Sequence, residues 1–285
     1  MSVRLFWDNR TFDALPASSL VPSSYAQMLP ASNVQTQFRS RVWRSGNTLG
    51  AETLTIDFGA PVSVDAFIAF FTTLNEGSMT SGDTTGFTSG DWGDGPVTIA
   101  GNSVNSWSLP PFSQTLNQSS ITDAQSPYQY FEGYFETTPG APTYRYWQFK
   151  YYKSAASQTR DVGRIFLGQT YDIPQAPAFN GILIELIDGS NKSKGVGLQT
   201  FVEVLPQFKQ ITLTFPPMAQ NVINQLDYIF AKIGQNRNFF LQIDQVDPYQ
   251  EIYYVKLEAS HKKQTSVVSP TQTYWVVAYM FEEQL

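Results

Sequence analysis

Two segments of two-residue alternation, the second starting ninety positions after the first, limit most strongly what this chain can fold into. The first runs from Leu54 to Phe70, the second from Tyr144 to Tyr152. In the first, Leu54, Ile56 and Phe58 alternate with Thr53, Thr55 and Asp57, the period of a strand with one buried and one wet face. Val64, Ala66, Ile68 and Phe70 make a further apolar row, and Phe67 with Ala69 covers its other side. Gly59-Ala60-Pro61 reads as a tight corner between these two strands. In the second segment Arg145, Trp147, Phe149 and Tyr151 form one row, and Tyr144, Tyr146, Gln148 and Lys150 the other. Strands that pair over such a distance build sandwiches and jelly rolls. Domains of that kind offer surfaces for binding more readily than they house a nucleophile.

The composition agrees with a well-packed β protein. Aromatic residues make up 15% of the 285 residues and charged residues only 15%, against roughly 25% charged in average soluble domains. A chain so rich in rings does not match the make-up of disorder. Ser, Thr, Asn and Gln supply the polarity instead, a surface suited to β-rich proteins that assemble with others. With 18 basic and 24 acidic residues the net charge is −6, and His261-Lys262-Lys263 is the longest basic run, so nucleic acid is not an expected partner. There is no cysteine, hence no disulfide framework and no thiolate metal site. The first residues lack a charged start followed by an apolar stretch, so no secretory signal is expected. The longest apolar runs, Ala66 to Phe71 and Trp275 to Phe281, are too short for membrane insertion.

Organisation follows from composition along the chain. Residues 75–128 form a long Gly-, Ser- and Thr-rich interruption, in which Val97 to Ile99 and Val104 to Leu109 can supply short strands; long loops inside compact domains are often functional. Val162 to Leu167 reads as a strand. Tyr171 to Phe179 holds two prolines and no periodicity, which marks a boundary. Beyond it, Ile182 to Ile187, Gln199 to Leu205, Gln210 to Phe215, Asn238 to Val246, Glu251 to Glu258 and Thr273 to Phe281 read as strands. Asp247-Pro248-Tyr249 is a turn between two of them. One helix is expected over about 217–233. Pro216 and Pro217 open it, Gly234 follows it, and Val222, Leu226, Ile229, Phe230 and Ile233 share one face.

The chemistry is sparse. His261 is the single histidine and its neighbours are lysines, so it lacks the orienting partner a catalytic imidazole needs. Asp91 and Asp94 flank Trp92, which is the kit of a glycosidase, but Asp and Gly alternate there as turns require. Asp83, Asp91 and Asp94 offer oxygen ligands for calcium without EF-hand spacing. No catalytic role, cofactor or metal is assigned. The rings Phe87, Trp92, Trp107 and Phe112 lie in or beside the interruption, off strand periodicity. Loop rings of this sort mark a partner or glycan contact, with Asp91 and Asp94 accepting hydroxyl hydrogen bonds, unless they fold back to roof the sandwich. Arg39, Arg41 and Arg44 point to a polar cluster that pairs with carboxylates at an edge or on a neighbouring subunit. Trp147 is the ring expected to be most deeply buried.

Leu54 to Ile68, with its Asp57-Phe58-Gly59 corner, resembles the early strands of discoidin-type, galactose-binding-like jelly rolls. Tyr144 to Phe149 resembles the strand near the C-terminal end of such domains. Gly163-Arg-Ile-Phe-Leu-Gly168 followed by Pro174 is similar to a segment of minor tail and baseplate proteins of long-tailed bacteriophages. The resemblance spans roughly Arg4 to Tyr171. It implies a mainly β fold: a galactose-binding-like β-sandwich over 1–172 with the insertion at about 75–128, a linker at 173–180, and a second β-rich domain with one helix over 181–285. It further implies a structural component of a virion, in the tail tip, baseplate or an adaptor, made in the host cytoplasm. Its partners would be itself, as a ring or trimer, and neighbouring tail proteins. The alternative is a carbohydrate-binding module for a host-surface glycan. No ligand residues carry over from the family.

Overall fold

The computed structural model describes residues 3–11, 16, 19–38, 40–46, 50–72, 97–118, 129–134, 141–153, 159–194, 200–203, 207–243, 251–258, 262–268 and 273–284. In chain order the strands begin with β1 (Val3–Asn9), β2 (Leu20–Pro22), β3 (Trp43–Arg44), β4 (Gly50–Ser63), β5 (Ala66–Thr72) and β6 (Thr98–Asn102). Then come β7 (Phe112–Thr115), β8 (Asn117–Gln118), β9 (Gln129–Tyr134), β10 (Thr143–Lys153), β11 (Asp161–Ile173) and β12 (Ile182–Asp188). The last are β13 (Asn191–Lys194), β14 (Thr200–Glu203), β15 (Gln207–Ala219), β16 (Asn238–Ile243), β17 (Glu251–Leu257), β18 (Lys262–Val268) and β19 (Thr273–Glu283). Among the described residues one α-helix, α1 (Gln220–Ile233), sits between β15 and β16, and a short 3-10 turn spans Ala31–Gln35. The fold is mainly β with one α-helix, as the alternation requires. Among the described residues no helix is long and apolar enough to cross a membrane.

The chain divides into two compact units. One comprises Asp8–Thr170, the other Met1–Trp7 together with Tyr171–Leu285. In the first, β2, β4, β10, β6 and β7 form a five-stranded antiparallel sheet in that order. Facing it is a second layer in which β11 pairs with β5, β5 with β9, and β9 with β8. Leu54, Ile56, Ile99, Trp147 and Phe149 from the first layer meet Phe67, Ala69, Ile165 and Leu167 from the second in one core. Phe67 and Phe149 stack across it with centroids 5.2 Å apart. The apolar rows at Leu54/Ile56, Val64/Ala66/Ile68 and Trp147/Phe149/Tyr151 are all buried. So are Phe67 and Ala69 on the other side of β5.

Local departures from the sequence reading have local causes. Gly59-Ala60-Pro61 is no corner between two strands. It is a bulge inside β4, with Gly59 at φ +74° and its N–H donating to Asp57 Oδ1 at 2.7 Å. Opposite it the register jumps from Tyr144↔Val62 to Tyr146↔Asp57. That jump takes Arg145 out of the row it shares by alternation with Trp147, which is why Arg145 is not in the core. Val104 to Leu109 is a loop and not a strand, because Asn102 captures its backbone. Arg44 finds its carboxylate within the chain, donating to Asp161 Oδ1 and Oδ2 at 2.6 and 2.7 Å. Arg41 lies over the Phe38 ring, and Arg39 is outside the described residues.

In the other unit the strand order is β12, β15, β19, β17, β16 and β1, with β18 also pairing β19. α1 packs on β15 and β19, burying Ile223, Leu226, Ile229, Phe230 and Ile233 against Ile211, Phe215, Val277, Tyr279 and Phe281. Val222 packs at its margin. The helix ends as expected, with Gly234 at φ +66° donating to Phe230 O at 2.8 Å. It starts later than expected. Pro216 and Pro217 stay in β15, where the register with β19 shifts between Phe215 and Met218. A bulge tolerates residues that cannot donate to a ladder. β13 and β14 form a separate hairpin.

Candidate functional site

β6 and β7 are joined by a nine-residue loop, 103–111, that Asn102 holds closed. The Asn102 side chain donates to Ser106 O at 2.6 Å and accepts from Val104 N–H at 3.3 Å. Ser106 N–H donates to Val104 O at 2.8 Å. Pro110 and Pro111 stiffen the return, since each fixes its own φ. Trp107 is half-buried at this tip. Its indole N–H donates to Asn105 Oδ1 at 2.9 Å, which satisfies the polar edge of the ring locally. Val104 and Leu109 beside it are exposed, Leu109 to 90%. The loop is thus pre-formed by Asn102, and it holds the Trp107 ring with its indole N–H already satisfied.

Phe112 has a different part. It opens β7 opposite Gly101 and meets the Trp147 ring at 5.6 Å and the Tyr144 ring at 6.5 Å. It roofs the core margin, the bland alternative for a ring at this position. Tyr144 lies so close over Gly101 that a Cβ there would come within 2.5 Å of the ring. Phe87, Asp91, Trp92 and Asp94 fall outside the described residues, as do Asp83 and His261.

The sheet face turned away from the core carries a second set of groups that sequence reasoning left unassigned. Asn102 pairs with Tyr146, and Tyr146 with Asp57. The next row on this face runs Val21, Thr55, Gln148, Ala100 and Ser113. Gln148 Nε2 donates to Thr55 Oγ1 at 3.2 Å. Arg145, brought to this face by the bulge, donates through Nε and Nη2 to both Asp57 oxygens at 2.8 and 2.9 Å. Its guanidinium also lies 4.8 Å from the Tyr146 ring centre. The hydrogen bonds from Arg145 hold the Asp57 carboxyl below its ordinary range, so the pair stays ionised across neutral pH. Lys150 lies two residues beyond Gln148, its Nζ 4.7 Å from the Tyr152 ring centre. The outward row Tyr146, Gln148 and Lys150 was legible as the wet side of its strand. The arrival of Arg145 was not, because only the pairing with β4 creates the bulge.

Chemically this region offers an aromatic tip, a tyrosine ring, planar hydrogen-bonding groups (the Asp57–Arg145 pair and the Gln148 amide) and a cation. Such groups orient a ligand; they do not activate a nucleophile. Among the described residues no three His, Cys, Asp or Glu side chains gather to hold a metal.

No protein-family model matches the chain, and no curated protein matches it. Solved structures with partial likeness include the lectin domain of lectinolysin complexed with Lewis B antigen. It is 10% identical, with 57% of this chain and 96% of that chain covered and a TM-score of 0.37. A Streptococcus pneumoniae fucose-binding module is 12% identical over 57% and 95%, with a TM-score of 0.36. The family 32 carbohydrate-binding module of C. perfringens NanJ, in complex with galactose, is 12% identical over 55% and 98%, with a TM-score of 0.34. Likenesses this distant assign neither a family nor a ligand to this chain.

Proposed function

We propose that this chain acts by recognition and that its Asp8–Thr170 unit binds carbohydrate through the Trp107 tip and the adjoining Tyr146 face. The observation that carries the reading is the placement of Asn102. The same side chain that closes the Trp107 loop stands beside Tyr146 on the outer sheet face, which joins a ring-bearing tip to planar polar groups. Sugar rings present apolar C–H faces for stacking and hydroxyls for such groups, and sites of this composition need few charges. The test is an array of host-surface glycans followed by calorimetry. Trp107→Ala and Tyr146→Ala are each expected to weaken binding about tenfold, roughly 1.4 kcal/mol, with unchanged circular dichroism. Silence of the intact chain on every glycan would remove the reading.

A second reading, a structural part of a bacteriophage tail tip, baseplate or adaptor, is favoured by a different observation. The edge strand β12 of the other unit exposes Leu183, Ile184 and Leu186, where edge strands of monomeric proteins are ordinarily blunted by charge or cover. Mass spectrometry of purified particles tests it, and absence of the chain from them would rule it out. The two readings are compatible, because a tail part can also bind a host glycan.

A further inference from the structure

β12 pairs with β15 on one side, and no described strand pairs with its other side. Thr214 N–H donates to Gly181 O at 2.7 Å, and Gly181 directly precedes β12. In an antiparallel ladder, hydrogen-bonded and non-bonded positions alternate. Leu183, Glu185 and Ile187 therefore turn their N–H and C=O groups towards β15, and Ile182, Ile184 and Leu186 turn theirs to the open edge. The side chains of those three also share one face, with Ile184 41% and Leu186 60% exposed. Just before the strand, the turn at Ala178–Gly181 is fixed to β15 by Ala178 N–H on Thr214 O at 2.9 Å and closed by Gly181 N–H on Ala178 O at 2.7 Å. Phe179 stands at its tip, 96% exposed.

We propose that β12 pairs antiparallel with β12 of a second copy of this chain, about a two-fold axis at Ile184. In that register Ile184 opposes its own copy, Ile182 opposes Leu186, and Leu183 opposes Glu185. The apolar row of one chain continues into that of the other, and the open backbone groups of both edges are paired. A one-residue shift of the axis to Glu185 sets two carboxylates directly opposite each other, which disfavours it. A shift to Leu183 sets Leu186 against the turn residue Asn180, whose φ of +58° is not that of a strand. A contact of this kind needs only an edge that suits itself. This one does: in this register the charged residues of the strand, Glu185 and Asp188, stand opposite Leu183 and Asn180, so no two carboxylates meet, and Asp188 only closes the even-numbered row beyond Leu186. The inference deepens the assembly reading by naming the partner and does not depend on carbohydrate recognition. A two-fold contact closes at a dimer, so a ring or trimer requires another surface.

The chain has no cysteine, so one engineered thiol reports on one register. Opposed hydrogen-bonded residues stand about 5.5 Å apart at Cα, within disulfide reach. Ile184→Cys is expected to form a covalent dimer under mild oxidation, and Ile187→Cys, whose opposite is Gly181, to remain single. The unaltered chain should show a concentration-dependent dimer by sedimentation. Leu186→Lys should weaken that dimer at least tenfold, and circular dichroism reports whether the variant folds. A chain that is monomeric at every concentration, or that cross-links equally at both thiols, overturns the self-contact. If such a monomer still retains a purified tail protein in a manner lost with Leu186→Lys, the assembly reading stands without self-pairing. If it retains none, both fall.

Discussion

Arg4 and Asp172, 168 positions apart, face each other through two hydrogen bonds, Nε to Oδ1 at 2.5 Å and Nη2 to Oδ2 at 2.9 Å. Arg4 is almost wholly out of water and Asp172 is half-exposed. The pair fixes β1 at a unit built mostly from the C-terminal half. Removing one member of a charge-assisted pair strands the buried partner, which costs more than the pair contributes. Asp172→Ala is expected to lower stability by about 1–3 kcal/mol, read as a shift in the urea midpoint, and Asp172→Glu by less.

The same strand makes a prediction about fragments. β1 pairs with β16 through Val3↔Ile243 to Phe6↔Phe240, and Val3 and Leu5 are fully buried in the core of that unit. A fragment comprising residues 171–285 therefore loses a strand and the buried side chains of Val3, Arg4, Leu5 and Phe6, and uncovers the β16 edge. It should melt below, and aggregate sooner than, the same fragment carrying residues 1–7 on a flexible linker. Equal melting of the two would show that β1 contributes nothing there.

Trp147 separates packing from recognition. It is fully buried, at the centre of contacts with Phe112 and Tyr144. Trp147→Ala is expected to cost about 3–5 kcal/mol. Trp107→Ala, at the loop tip, should stay within about 0.5 kcal/mol of the unaltered chain, as surface changes do. A cost at Trp107 as large as that at Trp147 would mean that the tip is part of the core.

These two tryptophans also mark how far the sequence was legible. The burial of Trp147 follows from alternation alone, because period two places it with Phe149 and Tyr151. The same rule misplaces Arg145, since the bulge at Gly59-Ala60-Pro61 belongs to the partner strand and only pairing brings the two together. Periodicity likewise cannot show that Asn102 closes the Trp107 loop, which is a hydrogen-bonding choice by a polar side chain. Pro216 and Pro217 carry a helix-start signal that is real in isolation. Here pairing of β15 with β19 extends the strand through Ala219 and delays the helix. Local signals give the strands; what they meet across a sheet sets the candidate site.

Gly101 offers a sharp steric test. A Cβ at this position would approach the Tyr144 ring to 2.5 Å, closer than packed atoms tolerate. Gly101→Ala must therefore displace Tyr144 from its place beside Trp147 and Phe112, with a cost of roughly 1–3 kcal/mol for overpacking. The double variant Gly101→Ala with Tyr144→Ser removes the obstacle and should lose less than the two separate costs added together. Strict additivity in a double-mutant cycle would show that the ring is not what the new methyl meets.

Alkaline pH should unfold both units for one reason. Burial of the Tyr151 and Tyr279 phenols raises each pKa well above the ordinary 10.0. Tyr151 lies in the sandwich core and Tyr279 in the core beneath α1. A raised folded pKa contributes stability that is fully present below the unfolded pKa and is lost as pH climbs through the interval towards the folded value. From neutral pH up to about 9 these groups therefore leave the melting temperature unchanged. Above about pH 10 the unfolded chain releases phenolic protons that the folded chain keeps, at about 1.4 kcal/mol per pH unit for each such tyrosine. Tyr279→Phe should flatten this slope for the unit containing α1, and Tyr151→Phe for the sandwich. An unchanged slope in Tyr279→Phe would show that its phenol ionises as readily folded as unfolded, and therefore that water reaches it.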